Sequence, residues 1–296
     1  MLVINQDLNL QCKVSHDMSA NEDTLSLFPN TSSIFKVVHQ ANKLYIRSIK
    51  STIIFSFLAG LLSFMLLWLF PLPPMTIPRV DISFANIVVM IILTLSSLFF
   101  SICVLVVLDH YLKKQSLSMK EIFLKARQRY FPVMLSSLLL YGLAMVLAGI
   151  IFIISLYGYS TLVPLKHGIA LIYSAVIFVL LCWLLVLFLR AMLNQIAVLI
   201  DNKSPLDGIE YSYHLTHGRN NIFGTLAIMF IIAVVALLTQ FIIKIVILPF
   251  FSMQHAAMVL NVLQSFVGIF IMPWFMACFL CWYRVLQGRQ GAKEPL

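Results

Sequence analysis

Four side chains in a polar segment between two long apolar stretches have the types and the spacing that could bind a metal ion. Residues 201–221 read DNKSPLDGIEYSYHLTHGRNN. On a helix, Asp207, Glu210, His214 and His217 would lie on one face, within roughly 80° of arc. Carboxylates and imidazoles are donors that zinc and similar divalent cations accept. A metal-dependent enzyme is therefore one hypothesis, with these four residues as candidate metal ligands.

An ordinary surface helix explains the same segment better. Ser204 would be its N-cap, Pro205 its first residue and Gly218 its C-terminal stop. The acidic residues lie near the start of this helix and the histidines near its end, which is the order that the helix dipole favours. Zinc hydrolases of the HExxH type place the glutamate between the two histidines, whereas both acids precede the histidines here. We therefore expect a membrane-surface helix with no bound metal, no cofactor and no catalytic residue.

The rest of the sequence offers no other catalytic motif. It contains no GxSxG of the serine hydrolases and no glycine-rich phosphate loop. Cys278 and Cys281 form a CxxC, but this pair lies in an apolar run without a second pair of ligands. Cysteine in such surroundings behaves as a small hydrophobic residue. The sequence therefore predicts a protein that is not an enzyme.

The composition requires lipid as the solvent for most of the chain. Hydrophobic residues make up 61% and charged residues only 10%, whereas a soluble domain is about half apolar and a quarter charged. A bilayer core about 30 Å thick needs roughly 20 apolar residues of helix. Six segments free of charged side chains meet this length, and they predict an all-α integral membrane protein with six transmembrane helices. The segments lie near 51–70, 87–108, 131–156, 168–189, 222–241 and 259–283.

The basic residues alternate between the loops and predict the orientation of the chain. All but three of the 20 lysines and arginines fall before the first span, after the sixth, or in the second and fourth loops. The exceptions are Arg79, Lys166 and Lys244. Because basic loops stay in the cytoplasm, both termini should be cytoplasmic, in a bacterial inner membrane. No nucleic-acid-binding module accompanies the net charge of +9, so we expect lipid and not nucleic acid as the partner.

Each odd-numbered span is preceded by an amphipathic stretch, which predicts three repeats of interfacial helix plus helical hairpin. The first two stretches are SSIFKVVHQANKLYIRSIK and SMKEIFLKARQRYF, and the third is the segment 201–221. The apolar face of the third is predicted at Leu206, Ile209, Tyr213 and Thr216. Basic groups on such helices attract anionic headgroups by about 1 kcal/mol each. The candidates for headgroup contact are Lys120, Lys125, Arg127, Arg129 and Arg219.

These elements divide the chain into three parts. Residues 1–30 form a polar N-terminal segment with little periodicity, residues 31–286 form the membrane domain, and residues 287–296 form a short cytoplasmic tail. Pro132 is predicted to begin the third span, and Pro273 lies inside the sixth.

One stretch resembles a recurrent element of a membrane superfamily. The stretch is IAVLIDNKSPLDGIEYSYHLTHGRNNIFGTL, and the matching residues are Ser204, Pro205, Ile209, Ser212, Leu215, Thr216 and Gly218. It is similar to the six-helix domain that precedes the catalytic domain of some membrane-anchored glycerophosphodiester phosphodiesterases, and to that of related standalone bacterial membrane proteins. The phosphodiesterase domain has no counterpart in this sequence. The resemblance therefore implies envelope- or lipid-related work and transfers no catalytic residue.

Two functions remain open besides the metal enzyme. The first is a structural or regulatory, lipid-related role in which basic interfacial helices contact anionic lipid. The alternative is a permease or transport component for a hydrophobic or lipid-like solute. Ion-coupled carriers usually keep a charged residue or a histidine inside a span, and the predicted spans contain no charged residue.

Overall fold

The described part of the chain is helical. The computed structural model describes residues 33–69, 84–115, 117–162, 167–247 and 253–291. It contains helices α1 (Ile34–Leu69), α2 (Phe84–Leu112), α3 (Met119–Leu162), α4 (His167–Ala191), α5 (Asn194–Ile200), α6 (Pro205–Leu215), α7 (Arg219–Ile247) and α8 (Met253–Gly291). These described ranges include no strand.

Six of these helices are long and apolar enough to cross a bilayer, which confirms the predicted all-α fold with six spans. They are α1, α2, α3, α4, α7 and α8, and each overlaps one predicted span. The protein is therefore an integral membrane protein. The predicted N-terminal segment 1–30 and the last residues of the predicted tail lie outside the described residues.

The first amphipathic stretch is not a separate interfacial helix, contrary to the prediction. It continues without interruption into the first span as α1. No glycine or proline lies between its start and Gly60. Its buried residues Val37, Ala41 and Leu44 continue at helical spacing into Ser48 and Thr52. Because one buried stripe runs through both parts, tertiary packing favours a single helix.

The second stretch is also continuous with its span, in α3. A capping box begins this helix: the Ser118 amide donates to Glu121 Oε2 at 2.7 Å, and the Glu121 amide donates to Ser118 Oγ at 3.4 Å. Ile122 and Ala126 of this helix are buried, whereas Met119 and Phe123 are exposed. Pro132 lies inside this helix and not at its start, so its predicted position was wrong. The cap at Ser118 fixes the beginning of the helix well before the proline.

Only the third stretch forms a separate helix, α6. Ser204 Oγ accepts a hydrogen bond from the Asp207 amide at 3.2 Å, and Pro205 is the first helical residue, as predicted. The helix ends at Leu215, and Gly218 adopts the left-handed φ of 101° in the turn before α7. This turn separates α6 from α7, whereas α1 and α3 each continue from the amphipathic stretch into the span without a break.

The face of α6 that packs against the protein is not its predicted apolar face, apart from Thr216 just past the end of the helix. The buried residues of the helix are Gly208, Ser212 and Leu215, while Leu206 is 68% exposed. A Cβ atom at Gly208 would lie 2.4 Å from Val198 Cγ2 of α5, so glycine is what allows the two helices to approach. The small residues Gly208 and Ser212 therefore face the neighbouring helices, whereas the larger Leu206 and Tyr213 are exposed.

The chain divides into two compact units. The first consists of Met1–Gln128 and Ala227–Leu296, and the second of Arg129–Leu226. Within the first unit, α1 packs against α2 and α8, and α2 also contacts α8. Within the second unit, α6 packs against α4 and α5. Each unit has its own set of buried polar contacts.

Candidate functional site

A buried ion cluster joins two spanning helices of the first unit. Asp109, near the end of α2, is 2% exposed, and Arg284 of α8 is 7% exposed. Arg284 Nη2 donates to Asp109 Oδ1 at 2.7 Å. Lys113 Nζ lies 3.0 Å from Asp109 Oδ2, and Arg284 Nη1 donates to Gln287 Oε1 at 2.9 Å. Both carboxylate oxygens therefore have a cationic partner.

This cluster is a clamp between α2 and α8. Removing one partner of a buried ion pair leaves an uncompensated charge, which costs about 3–5 kcal/mol. Separating α2 from α8 would break the pair, so the pair favours one relative position of the two helix ends. Both oxygens of the Asp109 carboxylate are paired, so this side chain has little freedom to move. Asp109 with Lys113 and Arg284 carries a net positive charge.

Contacts among α1, α2 and α3 gather basic side chains at the same end of the first unit. Ser51 of α1 shares a hydrogen bond of 3.0 Å with Tyr111 of α2. The rings of Phe55 in α1 and Phe123 in α3 lie 5.4 Å apart in an edge-to-face arrangement. We use the name basic end for the lysines and arginines in the first half of α1, at the end of α2, at the start of α3 and at the end of α8. They are Lys36, Lys43, Arg47, Lys50, Lys113, Lys114, Lys120, Lys125, Arg127, Arg284 and Arg289.

Negative charge at the basic end is scarce. The described residues of the first unit include two acids, Asp109 and Glu121. Asp109 is paired inside the clamp, and Glu121 accepts hydrogen bonds from the amide and hydroxyl of Ser118. The basic end therefore has a large excess of positive charge.

The structure divides the predicted headgroup contacts between the two units. Lys120 and Arg127 are exposed and Lys125 is half-buried, all within the first unit. Arg129 is half-buried and Arg219 is exposed, both within the second unit.

The second unit has neutral buried contacts in place of the clamp. Asn194 Nδ2, at the start of α5, donates to Ser136 Oγ of α3 at 2.9 Å. Gln195 Nε2 donates to Ser137 Oγ at 2.9 Å, and this hydroxyl donates to the Val133 carbonyl at 2.7 Å. Amide and hydroxyl groups thus tie α5 to α3 without a buried ion pair.

Hydroxyl groups of α6 also satisfy the end of α4. Ser212 Oγ donates to the Arg190 carbonyl at 2.7 Å. Thr216 Oγ1 shares its one proton between the same carbonyl at 3.1 Å and the Ser212 carbonyl at 2.9 Å. The last carbonyls of a helix have no partner within it, so these donors act as a cap from a neighbouring helix. Asn221 Nδ2 in turn donates to the Leu215 carbonyl at 3.0 Å. Most residues that carried the family resemblance therefore have architectural roles in this structure.

The four candidate metal ligands do not converge. Asp207, Glu210, His214 and His217 are all exposed. Glu210 Oε1 and His214 Nε2 lie 3.7 Å apart, and His217 lies beyond the end of α6. No group of three or more histidine, cysteine, aspartate or glutamate side chains in the described residues is arranged to hold a metal.

Sequence reasoning missed the clamp, although a signal was present. Asp109 and Arg284 each follow directly after a predicted span, 87–108 and 259–283. The helices extend beyond those bounds and include both residues. An acid at the end of one apolar run and an arginine at the end of another, on the same predicted side of the membrane, are potential partners.

A protein-family model described as a domain of unknown function, DUF7847, matches residues 49–285. The chain belongs to the DUF7847 family. No curated protein and no solved structure matches the chain. The segment shared with the DUF7847 family includes both members of the clamp, Asp109 and Arg284, and the whole of α6.

A cavity of about 280 Å³ lies among α1, α2 and α8 of this family member. Four serines contribute to its lining: Ser56, Ser63, Ser97 and Ser101. Ser56 is 7% exposed, and its Oγ has no hydrogen-bond partner among the described residues. A small polar group could be accommodated here, within the apolar part of the first unit.

Proposed function

We propose that the protein is a non-enzymatic component of a bacterial inner membrane whose basic end contacts anionic lipid headgroups, in a structural or regulatory role related to the envelope or its lipids. The observation that carries the proposal is the gathering of basic side chains at one end of the first unit, where the described acids are Asp109 and Glu121. The resemblance to the membrane domain of glycerophosphodiester phosphodiesterases adds support for a lipid-related role.

The proposed orientation has the basic end in the cytoplasm. Lysine and arginine near span ends favour the cytoplasmic side, and the cytoplasmic leaflet carries anionic lipid. Each exposed cation near that surface contributes about 1 kcal/mol of attraction, which is screened within a Debye length of about 10 Å at 0.1 M salt. The contact should therefore weaken as the salt concentration rises.

Lipid selectivity tests this proposal. Purified protein is incubated with phosphatidylglycerol and phosphatidylcholine, and the retained lipids are counted by native mass spectrometry at low and high salt. Four of the predicted headgroup contacts are replaced by glutamine: Lys120, Lys125 and Arg127 of the basic end, and the adjacent Arg129. This variant should show a reduced preference for phosphatidylglycerol at low salt. Lysine–arginine exchanges at the same four positions keep the charge and should keep the preference. An unchanged preference in the glutamine variant would contradict the proposal.

The serine-lined cavity favours a permease as the second candidate. In a background without the native cysteines, Ser56→Cys places a thiol at the cavity wall. A permease with a hydrated path predicts that a membrane-impermeant thiol reagent modifies this residue in proteoliposomes. A thiol that stays unmodified from both sides, while an exposed control such as Lys120→Cys reacts, would remove this candidate.

A further inference from the structure

A second pocket, of about 530 Å³, lies at the basic end of the first unit between α1, α2 and the start of α3. Arg47 of α1 and Lys114, just after α2, contribute two cations to its lining. His110 also lines the pocket, and its Nδ1 lies 2.8 Å from the Val106 carbonyl. No acidic residue lines this pocket.

The two cations have no counter-charge in the described structure. Neither Arg47 nor Lys114 forms an ion pair with a described residue. The nearby carboxylate of Asp109 is already shared by Lys113 and Arg284. The pocket therefore has a net positive charge and space for an anion.

The backbone of Lys114 gives independent support for a functional role. Its φ is 54°, the left-handed conformation in which glycine is the usual residue. The Gln115 amide donates to the His110 carbonyl at 2.9 Å, and the Lys114 amide donates to the Tyr111 carbonyl at 3.3 Å. These two bonds form the Schellman motif, whose left-handed position is most often glycine. A lysine with a left-handed backbone at the wall of a cationic pocket points to a use for its charge.

We propose that this pocket binds the phosphate group of one anionic amphiphile. Arginine can bind phosphate oxygens in pairs, and lysine adds a point charge. The lining also includes Val107 and Ile122, which suit the apolar part of such a ligand. The C-terminal end of α2 carries about half a negative elementary charge from the helix dipole, which repels an anion. The two positive charges of Arg47 and Lys114 outweigh this repulsion. The inference rests on the proposed lipid contact and names a discrete site within it.

The decisive variant is Lys114→Gly, because it removes the charge and relieves the backbone strain together. The purified full chain is titrated with short-chain phosphatidylglycerol and, in a second arm, with glycerol 3-phosphate, and binding is followed by native mass spectrometry. Lys114→Gly and Arg47→Gln should each weaken binding of one ligand molecule by about fivefold. Lys114→Gly should leave the unfolding temperature unchanged or raise it, which a purely structural lysine would not do.

Two control variants match these changes. Lys244→Gln removes one charge outside the basic end, and Asn202→Gly relieves a left-handed φ of 56° without changing charge. Both should bind as the wild type does. Binding of the lipid alone would identify a membrane ligand, and binding of both would identify phosphate esters in general. Either result supports the site if it depends on Arg47 and Lys114.

Pocket variants that bind the ligand as tightly as the wild type would overturn the inference. If the glutamine variant at positions 120, 125, 127 and 129 nevertheless loses lipid selectivity, the proposed function stands and only the discrete site fails. If instead the four-position variant is unchanged while Lys114→Gly loses one bound lipid, the site stands and the broad surface contact fails.

Discussion

The two units fasten their helices by different chemistry. The first uses a buried carboxylate shared by two cations, and the second uses neutral amides and hydroxyls bonded to one another and to carbonyls. A charged contact loses much when one partner is removed, whereas neutral hydrogen bonds each contribute about 0.5–1.5 kcal/mol. The first unit should therefore depend on one contact and the second on several small ones.

The largest effect is expected at the clamp. Asp109→Ala leaves Arg284 buried without its carboxylate and should cost about 3–5 kcal/mol of unfolding free energy. Thermal unfolding in detergent measures the loss. Asp109→Leu combined with Arg284→Met should recover much of the stability, because an apolar pair avoids the buried charge. Additive losses in the double variant would contradict the clamp.

Close packing in the second unit gives the next largest effect. Gly208→Ala places its Cβ 2.4 Å from Val198 Cγ2, and such overpacking costs about 1–3 kcal/mol. Gly142→Ala is the matched control, since a Cβ there meets no atom within 4 Å. Equal unfolding temperatures for the two variants would show that α5 and α6 do not approach as described.

The N-cap of α6 has a smaller expected effect. Ser204→Ala removes the acceptor for the Asp207 amide and should cost about 1 kcal/mol. Ser204→Asp keeps a capping oxygen and should retain the stability. A loss of the same size in both variants would argue that the serine acts through another contact.

The smallest effect should come from the hydroxyl cap on α4. Ser212→Ala removes one of two donors to the Arg190 carbonyl, and Thr216 keeps the other, so the loss should be about 0.5 kcal/mol. Combining Ser212→Ala with Thr216→Val leaves this carbonyl without either donor, and the loss should exceed the sum of the single losses. If the loss in the double variant equals the sum of the two single losses, the two hydroxyls do not share the capping of this carbonyl.

The sequence predicts the features of this fold that depend on local chemistry. Span lengths follow from apolar runs, and the start of α6 follows from the capping preference of Ser204 and the fixed φ of Pro205. The partner of Asp109 could not be assigned, because it depends on which helices are neighbours. The buried face of α6 was missed for the same reason: Gly208 and Ser212 pack well only because a neighbouring helix is close.

The pocket near Lys114 was equally hidden from the sequence. Two neighbouring lysines, Lys113 and Lys114, look alike there, yet one pairs with Asp109 and the other adopts a left-handed backbone beside Arg47. Their separate roles arise from where α2 ends, and helix ends are the least certain feature of any sequence-based assignment.

The orientation of the basic end decides whether it meets cytoplasmic anionic lipid, and reporter fusions at the C-terminus measure it most directly. Placed after Leu296, green fluorescent protein should fluoresce and alkaline phosphatase should stay inactive, because the phosphatase needs export to form its disulfides. An active phosphatase with a dark fluorescent protein would put the basic end on the outer side and contradict the proposed contact.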